Sequence, residues 1–259
     1  MNEMIPLYKS FAAIFGALIG SFLNVVIHRL PLEKELVVSR SACPSCQALI
    51  PWWCNIPIVS WLMLRGKCRS CSASISPRYL IVEIIAALIF FLSFPNDLSP
   101  TSLFQWIFLA AISCVLICHF FIDLQHKLLP DVLNIYLLCL VLPYAVIFFA
   151  PTHWLSGGAF GFLGPLAVSW GFYKWKGKVG LGGGDIKLWG VLGIFLGPFG
   201  ILENIFMSCL VGSVVGIALI LAKRYDREGG IPFGPFIIVV TMVQIYFPGL
   251  ISQMGFQIF

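Results

Sequence analysis

The sequence predicts an all-α polytopic membrane protein of about eight transmembrane helices, with a small zinc-ribbon-like cytoplasmic insert between helices 1 and 2. Three observations predict it. Of 259 residues, 59% are hydrophobic and 10% charged, with mean hydropathy +0.97, whereas soluble domains are about one-quarter charged. Apolar runs of spanning length recur along the chain. Basic residues concentrate in every second loop. The net charge of +5 is modest, and no basic tract interleaved with aromatics offers a nucleic-acid surface. The length holds several spans and one small polar insert. The expected division is 1–28 as the first transmembrane helix, 29–78 as a cytoplasmic four-cysteine zinc-binding loop and 79–259 as the transmembrane core.

The first span runs from about Leu7 to Ile27. It is too long for a signal-peptide core, and its basic flank, His28 and Arg29, follows it. It therefore reads as a retained span with its N-terminus outside. Within it, Gly16 and Gly20 are four apart, a spacing that lets helices pack closely in lipid.

The polar loop that follows carries Cys43-Pro44-Ser45-Cys46 and, after 21 residues, Cys68-Arg69-Ser70-Cys71. Two such knuckles complete a tetrahedral four-thiolate site with no open position, which makes the ion structural. Disulfides are disfavoured on the cytoplasmic side; free thiols are the remaining alternative. Cys54 has no partner knuckle, and Cys114, Cys118, Cys139 and Cys209 fall in apolar runs as packing residues. Trp52, Trp53 and Trp61 suit a module resting on the membrane interface.

Further spans are expected near Leu80–Phe94, Leu103–Ile122, Leu128–Ala150, Trp154–Tyr173, Ile186–Gly200, Ile201–Ala222 and Phe233–Ile251. The pair around Pro198 also reads as one broken hairpin. Basic residues occur from Arg29 through Lys34, Arg40, Arg65, Lys67 and Arg69 to Arg78, then at Lys127, at Lys174, Lys176, Lys178 and Lys187, and at Lys223, Arg224 and Arg227. The intervening loops have none, and only Lys9 breaks the pattern. Both termini are then outside.

Two acidic stretches face the cytoplasm in this topology. In Phe121–Asp131, Asp123 closes the third span, where the helix dipole disfavours an anion. Asp131 follows Pro130 at a helix start, where an acid suits the dipole without any chemistry. His126 reads as a solvated turn residue. In Gly180–Lys187, four glycines in five residues precede Asp185, freeing space and backbone angles for a close approach. A flexible loop with a solvated Asp and Lys is the plain alternative; an acid at membrane depth points to function. Two carboxyl groups brought together share a proton, so one activates water while the other polarises a peptide carbonyl. No Gly-x-Ser-x-Gly, His-Glu-x-x-His or Walker sequence is present.

Gly182-Gly183-Gly184-Asp185 fits the Gly-x-Gly-Asp signature of intramembrane aspartyl proteases. With Gly20–Pro31, the two knuckles, Asn55-Ile56-Pro57, Ser60-Trp61-Leu62, Leu64–Cys68, Ile75–Tyr79 with Glu83, and Asp123–Asp131, the chain resembles the bacterial prepilin peptidases, or type IV leader peptidases. The resemblance implies a bifunctional inner-membrane enzyme with its active site facing the cytoplasm. Such an enzyme cuts the leader of type IV prepilins or type II secretion pseudopilins after a glycine. It then N-methylates the new N-terminal residue with S-adenosylmethionine. It implies Asp123 and Asp185 as catalytic, Cys43, Cys46, Cys68 and Cys71 as metal ligands, and residues 79–259 as the aspartyl protease core. No Gly-x-Gly-x-x-Gly turn follows a strand pattern, so donor-binding residues are unassigned. Two other classes stand beside this reading. A proton-coupled transporter would show paired repeats and midplane acids, and a non-catalytic assembly factor with a zinc-stabilised loop would tolerate loss of either aspartate.

Overall fold

The structure is a computed structural model describing residues 4–35, 41–222 and 231–248. Arg40, the basic loop Lys223, Arg224 and Arg227, and the far end of the expected eighth span lie outside the described residues. Among the described residues the fold is all-helical, with two isolated β-bridges and no strands. The chain forms two compact units, Met1–Cys118 and His119–Phe259.

In the first unit, α1 (Ile5–Arg29) packs against α3 (Arg78–Ser93). Gly16 and Gly20 permit this: a β-carbon on Gly16 would lie 2.7 Å from the Ala86 carbonyl, and one on Gly20 2.8 Å from the Glu83 Cα. The small-residue spacing is thus a packing seam. Ala12, Phe90 and Ala110 form its core, and Trp106 donates its indole N–H to the Phe90 carbonyl at 3.3 Å. Between α1 and α3 lies the polar insert, with the short α2 (Val59–Met63).

α4 (Pro100–His126) runs into the second unit, followed by α5 (Asp131–Phe148), α6 (Pro151–Lys176), α7 (Gly183–Leu221) and α8 (Gly234–Tyr246). Among the described residues, four helices, beginning at Ile5, Pro100, Asp131 and Gly183, are long and apolar enough to cross a membrane. α6 is long enough, but Thr152, His153, Ser156, five glycines and Pro165 dilute its hydropathy.

The two spans expected around Pro198 form one element broken at Gly197, whose φ of 71° is left-handed and therefore suits glycine. The halves fold back on each other. Trp189 donates to the Asn204 Oδ1 at 3.0 Å, although 15 residues of straight helix would separate them by about 22 Å. Asn204 also donates to the Thr241 Oγ1 at 2.9 Å and the Gln244 Oε1 at 2.8 Å, and accepts from Ser208 at 3.3 Å. Gln244 donates to the Gly200 carbonyl at 2.9 Å, which ties α8 to the bend. All of these side chains are buried, so the polar cluster fixes one arrangement of α7 and α8 in an apolar setting.

Candidate functional site

Asp123 is the residue whose position most needs explaining. It lies in the last turn of α4, where the free carbonyls disfavour an anion. Its partner comes from elsewhere: the Gly234 N–H, at the first turn of α8, donates to the Asp123 Oδ2 at 2.9 Å. A helix N-terminus is a ready anion site, and here it holds a buried carboxylate, 5% exposed. Gly234 must be small, since a β-carbon there would lie 2.8 Å from that same oxygen.

Asp185 is the third residue of α7, and its half-buried carboxylate hydrogen-bonds the N–H of the capping Gly182. This is the reciprocal half of a capping box. Asp123 acts on it electrostatically. Of the space and backbone angles expected from the glycine run, the fold uses the space: Gly180, Gly182, Gly183 and Gly184 all lack positive φ. A β-carbon on Gly184 would stand 2.9 Å from the Leu129 Cβ, and one on Gly182 2.8 Å from the Asp185 Oδ2, while one on Gly183 would meet nothing within 4 Å. Leu129 also lies 3.1 Å from a β-carbon built on Gly234. This buried side chain is therefore the wedge between the starts of α7 and α8, and Gly234 joins the latter to the end of α4.

Asp131 is exposed and paired with Lys187 through both carboxylate oxygens, at 2.7 and 2.8 Å. It belongs to a strap between the starts of α5 and α7, two residues from Asp185. His126 is exposed as expected, but it is the last residue of α4 and not part of the turn. Lys187 entered the sequence reading only as a loop cation, with no pairing to Asp131, and Gly234 had no role in it. Gly234-Pro235 before an apolar run was the available signal for a helix start, but nothing local says that this start faces Asp123.

In the first unit, one sulfur from each of Cys43, Cys46, Cys68 and Cys71 lies within 4.8 Å of the others, with Cys43 and Cys71 at 3.9 Å. A tetrahedral zinc site with Zn–S of about 2.3 Å has sulfurs about 3.8 Å apart, so the quartet fits. The two knuckles are copies of one hairpin. Cys43 N–H donates to the Ala48 carbonyl and Gln47 N–H to that of Cys43; Cys68 N–H donates to that of Ala73 and Ser72 N–H to that of Cys68. Gln47 and Ser72 share φ 58°, and one bridge closes each hairpin, Ala42 to Leu49 and Lys67 to Ser74. The N–H groups of Cys46 and Ser45 pull the Cys43 thiol down to about 6, which favours the thiolate a metal requires. Cys54 lies outside the quartet.

Two family profiles match the chain: the bacterial peptidase A24 N-terminal domain over residues 14–96, and the type IV leader peptidase family over residues 109–217. The chain is 37% identical over 275 residues to the prepilin leader peptidase/N-methyltransferase of Aeromonas hydrophila, covering 95% of this chain and 93% of that one. It is 38% identical over 262 residues to the protein of the same name from Xanthomonas campestris pv. campestris, covering 91% and 90%. For the one from Pseudomonas aeruginosa the identity is 35% over 274 residues, covering 94% and 92%. No solved structure matches.

Proposed function

Because this chain belongs to the type IV leader peptidase family, we propose that it cleaves the leader peptide of prepilins or pseudopilins and N-methylates the new N-terminus. The observation that carries the reading is the convergence of Asp123 and Asp185 at the ends of three helices, two of them wedged by Leu129. We assign them as the catalytic pair. One carboxylate takes a proton from water, whose oxygen attacks the scissile carbonyl; the other carboxyl group donates its proton to the carbonyl oxygen. Collapse of the tetrahedral intermediate breaks the C–N bond, and the amine leaves with a proton. The Gly234 N–H fixes one oxygen of Asp123 and leaves the other for this work.

The cysteine quartet is assigned to a structural zinc ion, held by all four thiolates with no position left for water. A bound ion would supply folding energy to an insert with little core of its own. S-adenosylmethionine is the methyl donor that the family name suggests. The described residues contain no strand for a nucleotide-binding turn to follow, and no residue is assigned to the donor.

The membrane reading is of eight spans with the active site at the cytoplasmic face of the bacterial inner membrane, and residues 79–259 as the protease core. The basic residues at the ends of α4 and α6 and the start of α7 support that orientation. So do Lys174 and Lys176, stacked 4.0 and 4.5 Å from the rings of Trp170 and Trp175 at the end of α6, as at a membrane interface. The relatives' names give the transporter and assembly-factor readings no support.

The test is cleavage of a prepilin-like substrate by purified wild type, Asp123→Asn and Asp185→Asn, with zinc content and thermal unfolding measured alongside. Both variants should stay folded and lose cleavage. Near-normal cleavage by either removes that aspartate from the mechanism.

A further inference from the structure

The short helix α2 turns its apolar stripe away from the protein. Val59, Leu62 and Met63, at positions i, i+3 and i+4 of one helical face, are 49%, 57% and 79% exposed, and neighbouring Trp52 is 75% exposed. The opposite face is the anchored one: Ser60 is buried and donates to the Trp53 carbonyl at 2.9 Å. A soluble insert gains nothing from such an arrangement.

The depth of α2 is fixed by a second contact. The Ile58 N–H, immediately before the helix, donates to the Glu83 Oε2 at 2.7 Å. Ile58 takes φ 64°, an outlier for a β-branched residue, so the chain is held there by its surroundings. Glu83 is buried on α3 five residues past its first residue, Arg78, and so about 7.5 Å along the helix from the polar end. Because a helical side chain leans toward the N-terminus, the Glu83 carboxylate holds the α2 start beside the first turns of a hydrophobic helix. The charge pattern agrees. Exposed Arg65, Lys67 and Arg69 follow the helix, and no Asp or Glu occurs between residues 41 and 82.

We propose that α2 is an interfacial helix that seats Val59, Leu62, Met63 and Trp52 in the headgroup–acyl boundary of the membrane, with the following basic residues on anionic headgroups. This rests on the reading of α3 as a spanning helix. The zinc insert is then held at three points: by α1, by α3 and by the lipid itself.

The experiment places the photo-crosslinker p-benzoylphenylalanine at position 63, and separately at position 88, in the full chain. Leu88 is 50% exposed on α3 and reports whether that helix meets lipid. Each protein is reconstituted in nanodiscs of phosphatidylethanolamine with about one-quarter phosphatidylglycerol. Zinc content and thermal unfolding are matched to wild type before irradiation. Lipid adducts at 63 should reach within about threefold of those at 88. They should fall several-fold when phosphatidylcholine replaces the phosphatidylglycerol, while those at 88 hold. Lipid at 88 with none at 63 overturns the inference. Capture of an added prepilin peptide at 63 in place of lipid also overturns it, and makes the stripe a substrate seat. No lipid at either position overturns the span reading of α3, and the inference with it.

Discussion

Gly183 and Gly184 are adjacent, equally small and at the start of the same helix, yet alanine should affect them in opposite ways. A β-carbon on Gly184 would stand 2.9 Å from the Leu129 Cβ, where ordinary contact is 3.4–4 Å. The Leu129 Cβ is fixed to a buried backbone, so the start of α7 must retreat by roughly 0.5–1 Å and carry Asp185 with it. A misplacement of about 1 Å at a reacting group costs about a hundredfold in rate. Gly184→Ala should therefore cut prepilin cleavage by about 10- to 100-fold while the protein still unfolds near the wild-type temperature. Gly183→Ala meets nothing within 4 Å. It should gain a few tenths of a kcal/mol from helix propensity and cleave within about threefold of wild type. The assay is the initial rate on a purified prepilin substrate in detergent or nanodiscs, with a thermal unfolding curve for each variant. Normal cleavage by Gly184→Ala, or equal loss in both variants, refutes the wedge as the device that sets Asp185.

Asn204→Leu breaks four buried hydrogen bonds, to Trp189, Thr241, Gln244 and Ser208, and at about 0.6 kcal/mol each within a membrane should destabilise the second unit by about 2–3 kcal/mol; denaturation in mixed micelles measures it. Asp131→Asn removes an exposed ion pair whose side chains are 50% and 61% accessible, so stability should change by less than about 1 kcal/mol and cleavage by less than about threefold. A larger loss of rate at unchanged stability would return Asp131 to the chemistry. Cys68→Ser should abolish bound zinc, read by atomic emission, and open residues 41–77 to limited proteolysis. Retained metal would exclude Cys68 as a ligand.

The helices and the cysteine quartet were legible because their signals are local. Spanning-length apolar runs mark α1, α4 and α5, and Cys-x-x-Cys marks each knuckle. The duplication of the knuckle hairpin was also in plain view, in Cys-x-x-Cys followed by Gln47-Ala48 and by Ser72-Ala73. What sequence patterns missed depends on contacts distant along the chain. Asp123 stood out as an acid at the wrong end of a helix, but its partner lies 111 residues away, beyond any periodicity. The glycines before Asp185 promised a close approach, but which segment approaches was not legible: Gly184 admits Leu129. Pro198 announced a break in α7, but the direction of the fold-back was decided by Asn204, which sequence alone ranks as an ordinary polar residue in an apolar run.

The bond from Gly234 to Asp123 has a consequence for biosynthesis. Ribosomes release the chain in order, so both aspartates leave the tunnel well before α8 does. Until that last helix enters the bilayer, Asp123 has lost the free energy of water and has not gained the N–H that replaces it. A partly made chain thus carries both acids before Gly234 has docked on Asp123, so under the proposed catalytic assignment cleavage begins only with the completed fold.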